Sequence, residues 1–184
     1  MDLSKEERKA CEGMLTTLGR LPVERDKTYE AYDESPLSQE EHLAALLLTD
    51  TRRAVLCQGW HFNTAHMTVS LEEGEADMTY TPILDIISGP PGVSLLGEKL
   101  VHLQPPHPEE VTVRVLRDVA FKNLPPLFSR YVVIKAGRGL QDRLLISHTL
   151  HGFTEREEWE AYGHLKQWEA EHTAPSMLTG LMRR

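Results

Sequence analysis

With 184 residues, 40% of them hydrophobic and 26% charged, the chain is long enough to bury roughly 70% of its unfolded surface without help from a metal or disulfide. A formal net charge of −8 argues against bulk attraction to nucleic acid or to an anionic membrane. No apolar run approaches the ~20 residues of a bilayer span, and residues 1–8 lack the basic-then-apolar layout of a secretory signal. A soluble, cytoplasmic protein is expected.

Three helix starts carry the Ser/Thr-x-x-Glu pattern, in which the hydroxyl and the carboxylate each satisfy one free amide of the first turn. The first, Ser4 to Glu7, opens a helix expected to end at Gly19. The second, Ser38 to Glu41, opens a helix through Leu43, Leu46, Leu47 and Leu48 that should stop near Thr49-Asp50. The third, Thr154 to Glu157, opens a long helix to about residue 171, with Trp159, Tyr162, Leu165 and Trp168 spaced by three.

Between the second and third helices the hydrophobic pattern changes to period two, which predicts strands near residues 53–58, 60–71, 78–87, 99–104, 111–119, 128–136 and 140–153. Glu72-Glu73-Gly74-Glu75 and Gly137-Arg138-Gly139 have the composition of hairpin loops, and Gly89-Pro90-Pro91-Gly92 that of a longer turn. Short loops exclude parallel crossovers, so the sheet should be mostly antiparallel. The expected fold is α+β. A curved sheet of about six to seven strands carries two N-terminal helices and a long C-terminal helix packed on one face. One domain is expected, with helices in residues 1–50, the sheet in 51–153, the last helix in 154–172 and a tail in 173–184.

A hairpin followed by a long terminal helix resembles the element order of helix-grip ligand carriers, which implies a cavity between sheet and helix. The resemblance covers the C-terminal third and transfers no site residue.

Motifs exclude more than they identify. Gly89-Pro90-Pro91-Gly92 follows a strand as a phosphate-binding loop would, but no Gly-Lys-Ser/Thr follows it. The two cysteines, Cys11 and Cys57, have no CxxC spacing and read as reduced structural thiols; their separation, and so a disulfide, is not given by sequence. Acids dominate between Glu24 and Glu41, and bases dominate between Arg114 and Arg143, a solvated polar face or a surface for an anionic partner.

Polar groups on apolar strand faces supply the candidate site. His148 would sit among Leu144, Ile146 and Leu150, and Asp85 interrupts an apolar run, so both are candidates for acid–base chemistry. His61 and Asn63 share a strand face and would help to hold a ligand, together with Tyr80, Trp159 and Tyr162. Nine histidines invite a metal, but His61/His66 and His148/His151 are oddly spaced, so neither pair can chelate from one strand; metal and cofactor stay unknown. The preferred function is a non-enzymatic binding protein for a small, partly apolar ligand. The alternatives are an enzyme using His148 and Asp85, and an interaction module that assembles with copies of itself, with the apolar tail (Met177, Leu178, Leu181, Met182) as a contact.

Overall fold

A computed structural model describes residues 3–19, 37–144 and 148–173. The acidic stretch around residues 30–34 and the tail from residue 174 lie outside them. The fold is α+β, with four helices and two small antiparallel sheets. Contacts divide the chain into two compact units, residues 1–52 with 120–184, and residues 53–119. Among the described residues no helix is long and apolar enough to cross a membrane.

The first unit is helical. Helix α1, Lys5–Thr17, starts at the expected capping box: the Glu7 amide donates to Ser4 Oγ at 3.3 Å and the Ser4 amide to Glu7 Oε2 at 2.9 Å. It ends at Gly19, which takes φ 74° and returns its amide to the Thr16 carbonyl at 2.9 Å. Helix α2, Gln39–Leu56, opens with the reciprocal Ser38–Glu41 pair at 2.8 and 3.2 Å. It does not stop at Thr49-Asp50. Polar residues there leave the apolar period intact, and Val55 and Leu56 are fully buried, so the expected strand at 53–58 is the last turn of this helix.

A larger difference concerns residues 126–173. Helix α3, Pro126–Leu144, and helix α4, His148–Thr173, replace the two strands expected at 128–136 and 140–153. Tyr131, Val132, Val133 and Ile134 favour extended structure by themselves, and Gly137 and Gly139 imitate a turn. The buried positions, however, are Phe128, Tyr131, Val132, Ala136 and Leu140, the spacing of a helix face. Gly137 and Gly139 lie inside α3, and Thr154 lies inside α4 rather than at its cap, because packing supplies what local propensity lacks. The hairpin before the long helix is therefore helical, and the element order that resembled helix-grip carriers is absent.

Cys11 faces the α1 core and Cys57 is exposed; both are free thiols. Burial pushes the Cys11 thiol up to about 12, helped by the nearby Glu7, Glu41 and Glu12 carboxylates. Native protein is expected to give rapid reaction of Cys57 alone with a thiol reagent such as dithionitrobenzoate. Cys11 should respond only in denaturant.

The second unit holds the sheets. β1, Thr64–Ser70, β6, Glu110–Arg117, and β3, Ile83–Ser88, form one in the order β1-β6-β3; β2, Glu75–Asp77, β5, Lys99–His102, and β4, Val93–Leu96, form the other in the order β2-β5-β4. Period two holds best on β6, where Val111, Val113 and Val115 are buried while Thr112 and Arg114 are exposed. These valines share a core with Leu71, Met78 and Leu100, which brings the apolar faces of both sheets together. The single curved sheet of the sequence reading is thus two three-stranded sheets. The Glu72–Glu75 loop is a hairpin turn as expected, with Glu73 at φ 52° and Gly74 at φ 87°. A Cβ on Gly74 would also meet His107 Nδ1 at 2.6 Å, so glycine is required there twice over.

Candidate functional site

The helical hairpin carries an aromatic recess on the first unit. α3 and α4 run antiparallel: the Tyr131 ring lies 5.2 Å from that of Tyr162, Lys135 Nζ reaches Glu158 Oε1 at 2.7 Å, and Arg138 reaches Glu158 Oε2 at 2.8 Å and Glu155 at 3.8 Å. Each step forward along α3 is matched by an equal step back along α4. The same register carried one turn further sets Phe128 level with Leu165, and both are fully buried. The recess, of about 230 Å³, is lined by Tyr131, Lys135, Glu158, Trp159 and Tyr162. Trp159 is 67% exposed, and its ring meets Tyr162 edge-on at 6.5 Å. Lys135 and Lys166 lie over the Tyr131 and Tyr162 rings at 5.8 and 5.4 Å.

Charge in the recess is arranged around one carboxylate. Burial works against the Glu158 charge, but hydrogen bonds from Lys135 and Arg138 outweigh it and hold the carboxyl below its usual range. For Lys135, burial again opposes the charge; the bond to Glu158 and the neighbouring Tyr131 outweigh it and raise the pKa. Burial raises that of Tyr131. A depressed folded-state pKa on Glu158 gives stability that is present above the unfolded carboxylate value and is lost as pH falls through the depressed one; the raised Lys135 value gives stability lost as pH rises through it. Glu158→Gln is therefore expected to cost on the order of 1 kcal/mol near neutral pH, reduced by the solvent that reaches Lys135 at 40% exposure, and almost nothing in acid. Thermal melts of both proteins across a pH series would show the two curves converging on the acid side.

Of the residues the sequence marked, only Trp159 and Tyr162 line this recess. Asn63 is a structural latch. It is fully buried, its Oδ1 accepts from the Trp60 amide at 2.8 Å, and its Nδ2 donates to the Leu56 and Arg117 carbonyls at 3.0 and 3.4 Å. Its side-chain N–H groups are thereby committed to the fold rather than to a ligand. His61, in the same turn, is half-buried with its ring edge against Phe62 at 5.8 Å. Tyr80 is 97% exposed. Asp85 is exposed on β3 and accepts from the adjacent Ile86 amide at 2.8 Å, so the desolvation that made it a candidate is absent. His148 is the first residue of α4, and the strand face that singled it out does not exist. A larger hollow of about 330 Å³ in the second unit is lined by none of the marked residues; Met78, Ile83 and Leu95 lie on it, with the Arg53–Asp118 ion pair. Among the described residues no three His, Cys, Asp or Glu side chains gather as a metal site requires.

Tyr131, Lys135 and Glu158 were missed because their segment was read with period two. At helical spacing the signal is visible: Tyr131, Lys135 and Arg138 fall on one face, Glu155, Glu158 and Tyr162 on another, and cations meet anions when the helices run antiparallel.

That hairpin lies within the stretch that comparison with known families picks out. Residues 103–175 match the family described as tail tubular protein. The likeness covers less than half of the chain, and it includes α3 and all of α4. No curated protein is significantly similar.

Proposed function

We propose that this chain is a structural subunit whose copies assemble into a tube-like particle component, in the manner named by the tail tubular family, and that the aromatic recess of α3 and α4 is one of its assembly contacts. The observation that carries the reading is the coincidence of the two: the matched residues 103–175 contain every residue that lines the recess. A tube wall is built by head-to-tail contacts between unlike surfaces that close into rings. Trp, Tyr and Arg dominate the energetics of such contacts, and here Trp159, Tyr131 and Tyr162 line the recess while Arg138 bonds its Glu158. At about 230 Å³ the recess falls below the roughly 300–1,000 Å³ typical of small-ligand sites, which favours a protein side chain as occupant over a free ligand. The apolar tail residues Met177, Leu178, Leu181 and Met182 are proposed as a second adhesive segment on their sequence alone. In this reading the working location is a phage particle rather than the cytoplasm.

Native mass measurement and negative-stain microscopy of the purified chain test the reading. Closed oligomers are expected in the parent. Trp159→Glu, at an exposed position, should leave circular dichroism unchanged and weaken assembly by about thirtyfold or more, as loss of a hot-spot aromatic does. A parent chain that stays monomeric at every concentration tried would overturn it.

A further inference from the structure

We propose that the outer edge of β1 is a second self-association site, at which two copies pair antiparallel about a two-fold axis at Thr68. Main-chain direction gives the first argument. At the two ends of the β1–β6 ladder, Arg117 donates to the Asn63 carbonyl and Leu71 to the Glu109 carbonyl, both at 2.8 Å. In an antiparallel pair the bonded positions alternate, so odd-numbered residues of β1 bond to β6 while His66, Thr68 and Ser70 turn their N–H and C=O groups outward. All three of these residues are exposed.

Within the strand itself, the sequence features by which edges avoid partners are few. On the opposite edge of the sheet, β3 is broken by two register irregularities. The outer strands of the other sheet, β2 and β4, have only three and four residues. β1 has seven residues in unbroken register, with no proline, no glycine, no lysine and no acid. An edge of this length in unbroken register, without lysine or acid, is a template for another strand.

Its pattern selects a second copy as that strand. Ala65, Met67 and Val69 pack against the sheet core yet remain half-buried, and among the described residues β1 is an edge strand of its sheet. Centred on Thr68, an inverted copy sets Met67 beside Val69 and Ala65 beside Leu71 on the apolar face, in both directions. On the polar face His66 meets Ser70, so no like charges oppose one another. About six main-chain hydrogen bonds form across the axis. This contact lies outside residues 103–175 and does not rest on the tubular reading.

Sedimentation of the full chain carrying Trp159→Glu, which removes the recess contact, isolates the β1 contact. A reversible dimer is expected. Thr68→Pro should weaken it by about tenfold or more while leaving circular dichroism unchanged, since an outward N–H on an edge strand is where proline is tolerated. Thr68→Cys in a Cys57→Ser background keeps the test sharp should proline disturb the fold: a bonded antiparallel pair places Cα atoms about 5.5 Å apart, within disulfide reach, so oxidised glutathione should link the copies through residue 68. A folded Thr68→Cys chain that stays unlinked, or that links no faster than a Thr112→Cys control on the neighbouring strand, overturns the proposal. So does a Thr68→Pro chain that dimerises like its parent. Larger oligomers of the parent chain would survive either result, and a β1 dimer would survive the loss of the tubular reading.

Discussion

Asn63→Ala is expected to destabilise the second unit by about 2–4 kcal/mol. The substitution removes three side-chain hydrogen bonds at once and leaves the Trp60 amide and the Leu56 and Arg117 carbonyls with less than they had. Asn63 is 0% exposed, so water cannot replace them without opening the turn, and each buried group left short costs about 1–3 kcal/mol. The neighbouring Trp60, 1% exposed and bonded from Nε1 to the Val55 carbonyl at 2.7 Å, depends on the same turn. Urea denaturation followed by tryptophan fluorescence measures the loss. Asn63→Asp separates latch from packing. One oxygen can still accept from Trp60, but the other faces two carbonyls with no proton to give. That variant should be at least as unstable as Asn63→Ala at neutral pH and should recover part of the loss in acid, where the carboxyl becomes a donor. Equal stability of all three proteins would remove the latch.

Leu165→Ala should cost the helical unit about 3 kcal/mol. Leu165 is fully buried on α4, level with the equally buried Phe128 on α3, and truncation at such a site loses both transfer energy and contact across the cavity it leaves. The next turn of the hairpin toward Trp159 is held by the Tyr131–Tyr162 rings and then by the Glu158 ion cluster, so loosening Leu165 should also loosen the recess. Hydrogen exchange is expected to show lost protection along α3 and α4. Assembly should fall with it. Unchanged exchange in these helices would mean that the hairpin is held elsewhere.

The contrast between the two positions shows how far the sequence reached. Asn63 is a polar group on an apolar face in the sequence, and its bonds to Trp60 and Leu56 are local in the chain, but the Arg117 carbonyl is 54 positions away, a distance that no local pattern can bridge. Trp159 and Tyr162 stand out in the sequence as candidate ligand contacts for their large apolar surface with polar tips, and both line the recess. Their companions Tyr131 and Lys135 stayed hidden because β-branched and glycine residues in α3 outvoted its helical spacing.

What the chain determined by itself is everything written in one or two turns of backbone. The capping boxes at Ser4 and Ser38, the stop at Gly19, the hairpin at Glu73-Gly74 and the alternation on β6 all rest on contacts between residues a few positions apart. Only the tertiary structure decided that residues 126–144 and 148–173 are helices, that the strands divide into two sheets, and that Asn63 holds a turn. The reason is energetic. Local preferences differ by tenths of a kcal/mol per residue, whereas burying one Phe128 or Leu165 side chain contributes about 1.5–3 kcal/mol, so packing overrules propensity wherever the two disagree.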